Sequence, residues 1–518
     1  MRSNIEAENT YLGIEFGSTR IKAVLLDGTY SVLASGSYTW ENQFKNGYWT
    51  YSQKMIEQGL QECFRSLSDH VMQQYGVPLT TVGAIGISGM MHGYLAFDKN
   101  DNLLVPFRTW RNTTTEQAAD RLTDLFGFNI PQRWSIAHLY QAMLNGEVHV
   151  PQIAHITTLA GYIHYRLTGR YEVGIGEASG IFPIENGVYN PKMIKAFQEL
   201  SASAGYRWDI CDLLPQIRRA GEKGAYLTKE GAAFLDSTGA LQEGIPFCPP
   251  EGDASTGMVA TNSVRPATGN VSAGTSVFSM LVLERPLKDF YREIDVVTTP
   301  DGAPVAMVHC NNGCSELDAW IGIFEEFSKL KGISVDRSEL YELLYRNTVH
   351  ADVDCGGVVS YNFLASEPVA NVAQGTPTYY RLGNTKLTLA NFFKSQLYAT
   401  VATLRLGMDI LFQQEEVRAK SFSAHGGLFK VEGIAQQILA DALNTPISVQ
   451  TTAGEGGAWG MALLAAYMLR GAEKSLADWL DSEVFLKSQS ITLSPNENTR
   501  AGFNAYMKHY RMGLEKLY

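Results

Sequence analysis

A chain of 518 residues exceeds what one hydrophobic core usually organises, and a composition of 45% hydrophobic residues with 48 glycines describes a folded protein rich in tight turns. Its formal charge of −11 is scattered along the chain, which leaves no electrostatic footprint for nucleic acid or an anionic membrane. No run approaches the roughly 20 apolar residues of a membrane span, the N-terminus carries acids where a secretory leader needs basic then apolar residues, and six dispersed cysteines make no disulfide framework; a cytoplasmic protein with reduced thiols is expected.

Residues 11–16 and 21–26 read as the two strands of a hairpin with Gly17-Ser18-Thr19-Arg20 at its tip, Glu15 just before the tip and Lys22 just after it. A helix over 52–72 follows, then an apolar strand over 82–88 that runs into Gly89-Met90-Met91-His92-Gly93. A histidine bracketed by glycines at a strand end is placed to reach a cleft, and a buried structural histidine fits that feature equally well. Further on, Trp110-Arg111-Asn112 puts an aromatic ring beside a guanidinium and an amide, a combination that stacks on a sugar and reads its hydroxyls, or that makes an ordinary loop around a core tryptophan. Residues 174–180 read as a loop, and 200–244 as a polar excursion from the first core.

Near the midpoint, Gly252-Asp253 lies between an extended segment, 244–249, and a run of small residues, 254–260, that opens a helix. A carboxylate at such a junction sits beside unpaired backbone N–H groups, on a polar edge suited to a substrate; Asp253 is therefore the catalytic candidate, against the simpler reading of a helix N-cap. The hairpin pattern then returns: a strand ending at Ser272, a tip Ala273-Gly274-Thr275-Ser276, and a return strand over 277–282. Gly17 and Gly274 stand about half a chain apart and each precedes two hydroxyl residues, so an internal duplication is the economical reading, with domains at 1–260 and 261–518. Two such tips facing each other across a cleft offer the N–H groups and hydroxyls that a polyphosphate needs. In the second half, an amphipathic helix over 391–413 is core. Gly426-Gly427 and the cluster Gly454 to Gly460 each open a helix, which favours close approach of a flat or anionic ligand. A Walker lysine and a dinucleotide-binding Gly-x-Gly-x-x-Gly are both missing.

In this order, the segments 13–19, 89–93, 110–112, 252–253, 274–276, 425–427 and 455–460 make the chain resemble the FGGY family of carbohydrate kinases in the actin-like ATPase superfamily, and its xylulokinase-like members most. The resemblance spans roughly residues 11 to 500. It implies an α/β protein of two ribonuclease-H-like domains related by internal duplication, with sugar bound largely by the first, nucleotide largely by the second, and a cleft between. It implies Asp253 as the general base; Met91, His92, Trp110, Arg111 and Asn112 along the sugar pocket; Gly17, Ser18, Thr19 and Lys22 with Gly274, Thr275 and Ser276 around the phosphates; and Gly426-Gly427 on the adenosine side. ATP and Mg²⁺ are the implied cofactors, with Glu15 and Asp253 as candidate metal ligands. The partners expected are a small sugar and ATP, with a homodimer as the candidate assembly.

Three positions depart from the family pattern. Glu15 stands where the family usually has Asp, and one methylene moves a carboxylate by about an ångström, enough to disturb Mg²⁺ geometry unless something compensates. Ser366-Glu367-Pro368 replaces a common Gly-Glu-Arg, and Glu177 lies in an irregular match to the sugar-side acidic loop. The leading expectation is an ATP-dependent kinase of D-xylulose. An L-ribulose, other ketose or polyol kinase stands beside it, as do two readings of other classes: a nucleotide-dependent switch without sugar chemistry, and a sugar-binding module without an ATP site.

Overall fold

A computed structural model describes residues 9–450, 456–471 and 473–518; the acidic N-terminus Met1–Glu8 and Gly454-Glu455 of the last glycine cluster lie outside the described residues. The first hairpin forms as its pattern demands: Tyr11–Phe16 and Arg20–Leu26 pair antiparallel, and the alternating apolar side chains bury both faces. Tyr11–Phe16 also pairs in parallel with Ala84–Gly89, whose six residues are all buried. The sheet runs Ala225–Tyr226, Pro246–Phe247, Ala84–Gly89, Tyr11–Phe16, Arg20–Leu26, Val32–Thr39, with Glu251–Gly252 also paired to Ala84–Gly89.

The second sheet repeats this order. Ser490–Leu493, Ile447–Gln450, Ser421–His425, Thr268–Ala273, Val277–Val282 and Pro304–Cys310 take the corresponding places, and Asp295–Thr298 adds an outer strand. The predicted helix over 52–72 is Gln53–Tyr75, capped by the Ser52 side chain at one end and by Gly76 at φ 70° at the other. The one over 391–413 is Leu389–Asp409, followed by a π-turn over Ile410–Gln414.

Between the sheets lie two helices, Asp253–Ala260 and Gly456–Arg470, packed on each other. The second of these, although it comes from the far end of the chain, lies on the first sheet against Tyr11–Phe16 and Ala84–Gly89. Gly13 makes that possible: a Cβ there would strike the Ala458 carbonyl and the Ala462 nitrogen, so the strand backbone touches the helix backbone directly. The outer hairpin of the second sheet also reaches across. Thr298 donates from its N–H to Ser179 Oγ (3.0 Å) and from its hydroxyl to the Ile175 carbonyl (3.0 Å), and Val297, Val305 and Met307 join the core that contains Ile181 and Phe182. Residues 174–180 are therefore not simply a loop: Ile175–Ala178 is a short buried helix clamped between the lobes, where the apolar Ile175 and Ala178 have neighbours to bury against. No helix among the described residues is long and apolar enough to cross a membrane.

Candidate active site

A cleft of about 2050 Å³ opens between the lobes, and Asp253 is on its wall. Asp253 is the first residue of its helix rather than the cap, a place taken by Gly252. Its Oδ1 accepts the N–H of Met91 (3.1 Å) and of Ala254 (2.9 Å), which pins the carboxylate to the end of the strand that carries Met91 and His92 and leaves Oδ2 as the oxygen able to take a proton. Burial raises the Asp253 carboxyl above its ordinary range, against the lowering by those two N–H donors. A raised carboxyl is a better base, and it remains useful as one while ionised near neutral pH.

His92 has φ 70°, a conformation the flanking turn imposes, and its Nδ1 lies 3.2 Å from the Gly180 carbonyl. A carbonyl only accepts, so Nδ1 carries the hydrogen and Nε2 is an acceptor. Burial, and then the charge of Arg133, push this histidine well below its usual value, so it is neutral. Its ring stacks near Trp134, centroids 6.1 Å apart. Trp110 donates Nε1–H to Ser18 Oγ (3.3 Å) and so ties this wall of the cleft to the first tip, and Arg111 lies over the Trp49 ring at 4.6 Å. Asn112 lines the cleft, but its amide is committed: Oδ1 accepts from Trp49 N (2.8 Å), while Nδ2 donates to the Trp49 and Thr109 carbonyls (both 2.9 Å). Its two N–H groups are used in holding the wall in shape, while Oδ1 keeps one acceptor position.

The two tips show a common device. Gly17 N–H closes its own turn on the Arg20 carbonyl (3.0 Å), and Gly274 N–H closes on the Ser276 carbonyl (2.9 Å). The glycine N–H groups are thus spent, and beyond them stand the hydroxyl residues Ser18 and Thr19 or Thr275 and Ser276, of which Ser276 lines the cleft. The first tip is braced by Trp40 Nε1–H on the Gly17 carbonyl (2.8 Å) and Tyr51 O–H on the Ser18 carbonyl (2.5 Å). The second is braced by Gly313 and Cys314 N–H on the Thr275 and Gly274 carbonyls (both 2.8 Å). Gly426, at φ 112°, passes so close to the Ala273 carbonyl that no Cβ fits, which sets Gly426-Gly427 beside the second tip.

Glu15 and Lys22 face each other across the first hairpin and both line the cleft. The Glu15 carboxylate lies at the start of the Gly456–Arg470 helix, in the space a Cβ on Gly457 would fill, where the Ala458 N–H lowers its pKa. The anion that lies at Gly457 is thus the chain's own Glu15. Burial and then Asp253 nevertheless raise Glu15 to about 7. Behind Asp253, burial raises Glu251 to about 8 and Glu177 well above the carboxylate range; Glu251 accepts from the Glu177 N–H (2.9 Å). Among the described residues no three His, Cys, Asp or Glu side chains gather to hold a metal. Two mutually repelling carboxylates beside one lysine do fit a Mg²⁺ ion that is held mainly through phosphates and water.

Several site residues carried no sequence signal. Arg133 and Asn129 from the first lobe and Asp295 and His309 from the second line the same cleft. They lie in segments without glycine clusters, and only the docking of the outer hairpin brings them together. Ser366 and Pro368 also line it, while the intervening Glu367 is buried and accepts from Asn312 N (3.1 Å) and Nδ2 (3.0 Å), a bond set that ties 366–368 to the strand end beside the second tip.

The structure is thus a two-lobed α/β scaffold with a buried carboxylate at the seam and a hydroxyl-bearing tip in each lobe. The N-terminal and C-terminal domain models of the FGGY family of carbohydrate kinases match residues 10–260 and 269–469. The chain belongs to that family and is an ATP-dependent sugar kinase. A xylulose kinase of Haemophilus influenzae is 23% identical over 98% of this chain and its own whole length. Among solved structures, a xylulose kinase from Rhodospirillum rubrum superposes with TM-score 0.80 at 16% identity, covering 98% of this chain and 99% of that one. A gluconate kinase from Lactobacillus acidophilus superposes with TM-score 0.79 at 17% identity, covering 98% of each.

Proposed function

We propose that this kinase transfers the γ-phosphoryl group of ATP to a hydroxyl of D-xylulose, giving the 5-phosphate, with residues 1–260 holding the sugar and 261–518 the nucleotide. The observation that carries the reading is Asp253 itself: a raised carboxyl at the seam, fixed through Oδ1 to the Met91-His92 turn and open at Oδ2. Oδ2 takes the hydroxyl proton as the oxygen attacks phosphorus, and His92 Nε2 accepts from a second hydroxyl. In a loose phosphoryl-transfer transition state most of the catalysis is positioning and neutralisation of charge. Mg²⁺, when bound beside Glu15 and Asp253, supplies neutralisation of the phosphate oxygens. Ser18, Thr19, Thr275 and Ser276 orient the phosphates, Lys22 adds a positive charge, and Gly426-Gly427 give the adenosine a flat approach. The full-length likeness to a xylulose kinase supports this sugar; an L-ribulose, other ketose or polyol acceptor is the second reading, to which the gluconokinases among the relatives add an aldonate. We place the enzyme in the cytoplasm.

The test is ADP release, coupled to a reporter, across ketopentoses, ketohexoses, polyols and aldonates. D-Xylulose is expected to give the highest kcat/KM; a higher value for any other acceptor reassigns the substrate.

A further inference from the structure

The sugar end of the cleft contains an ion pair that belongs to neither lobe alone. The Arg133 guanidinium, from the segment before the Ser135–Leu144 helix, bonds Oδ2 of Asp295 at the start of the outer strand of the second sheet. Oδ1 of the same carboxylate accepts Asn129 Nδ2–H at 2.9 Å, and the Asn129 amide also donates to the Ile294 carbonyl (3.1 Å). The Asp295 side chain is 9% exposed and Arg133 23%, so both are largely withdrawn from water while still lining the cleft. Arg133 is also next to the sugar wall: its carbonyl accepts the Gly93 N–H (3.1 Å), one residue beyond His92.

We propose that the Arg133–Asp295 pair is the specificity element that restricts the acceptor to neutral polyhydroxy compounds, ketoses and polyols, and turns aldonates away. The inference rests on the sugar-kinase reading above and narrows its substrate class. A guanidinium has five N–H donors and Asp295 leaves acceptor capacity on each oxygen, so the pair can both donate to and accept from sugar hydroxyls. A sugar carboxylate meets a guanidinium whose charge is already matched, and it must lie within a few ångströms of the largely buried Asp295 carboxylate, where like charges are costly. The other cations nearby do not relieve this. Arg292 is held by Asp120 and Asp124, Lys22 lies opposite Glu15, and Arg111 is exposed on the Trp49 face, where solvent screens it.

The experiment compares kcat/KM for D-xylulose, L-ribulose and glycerol with that for D-gluconate, in the wild-type enzyme and in Asp295→Asn and Arg133→Met, with thermal melts to confirm folding. The wild type is expected to favour its best neutral acceptor by at least about 100-fold, and Asp295→Asn, which keeps the shape and frees the guanidinium, to shift that ratio towards gluconate by on the order of 100-fold. Arg133→Met is expected to give gluconate no gain, because the cation is then missing. A wild-type preference for gluconate overturns the inference and leaves the kinase standing, as does an unchanged ratio in a folded Asp295→Asn. Turnover of neither class removes the proposed acceptor chemistry and this inference with it. The wild-type comparison decides even where a variant does not fold.

Discussion

The two hairpins share a scaffold and differ in chemistry. Each is central in its seven-stranded sheet, and the residues next to each tip form a cross-strand pair that lines the cleft: Glu15 with Lys22 in the first lobe, Ser272 with Phe278 in the second. They differ in how a seam helix meets them. In the first lobe Gly13 lets the Gly456–Arg470 helix rest on the strand itself. In the second, the position equivalent by register is Asn270, whose Nδ2 bridges to Thr261 Oγ1 (3.3 Å) at the end of the Asp253–Ala260 helix. Backbone pairing fixes where a duplicated strand lies, and one small or large side chain then decides how closely its covering helix can come, so the copies diverged at the seam while their sheets did not.

The sharpest break of this asymmetry is at Asp253. Asp253→Asn keeps the bonds to Met91 and Ala254 within reach and removes the base, so kcat is expected to fall about 10²–10⁴-fold in the coupled assay. ATP affinity by calorimetry is expected to stay near wild type; full activity in this variant takes Asp253 out of the mechanism.

Giving the first hairpin the uncharged character of the second comes next. Glu15→Gln is expected to weaken Mg-ATP binding roughly 10–100-fold, read as a titration with Mg²⁺ at fixed ATP. The reciprocal change, Ser272→Ala, is expected to leave the Mg²⁺ dependence unmoved.

The contrast at the seam predicts a stability difference. Gly13→Ala drives a methyl into the Ala458 and Ala462 backbone and is expected to cost about 1–3 kcal/mol in denaturant unfolding. Gly274→Ala, whose added carbon meets nothing within 4 Å, is expected to stay within about 0.5 kcal/mol. Equal losses in the two would show that the first lobe is not packed as closely as described.

The smallest effect is a pH slope. Glu15 has its folded-state pKa raised to about 7 from an ordinary value of 4.5, so between those values the native state holds more protons than the unfolded chain. Stability contributed by the protonated form is therefore lost as pH rises through that window. Without nucleotide, the wild type is expected to lose more stability than Glu15→Gln between pH 4.5 and 7, and to run parallel to it above. Comparison with Glu15→Gln cancels the like-signed contribution of Glu251.

Much of the fold was legible because it depends on local order. The apolar alternation of 11–26 and 268–282, the two glycine tips and the half-chain spacing are properties of nearby residues, and they sufficed for the paired strands and the duplicated sheets. Gly252-Asp253 and Met91-His92 were legible for the same reason, since a short polar interruption of an apolar strand marks where a chain leaves its sheet. The buried helix at 175–178 was not, because four residues rich in glycine and alanine carry no period. The backbone partners of the Asn112 amide were not legible either, because Trp49 lies 63 residues away.

What the amino-acid order determined by itself, then, was two copies of one strand-and-turn scaffold and the carboxylate between them. What only the tertiary structure decided was which charges meet: Glu15 with the Ala458 N–H across most of the chain, and Arg133 with Asp295 across the cleft. Local pattern follows from backbone sterics and from the burial of neighbouring side chains. Charge pairing between distant segments follows from how two finished sheets dock, and no short window of sequence contains that.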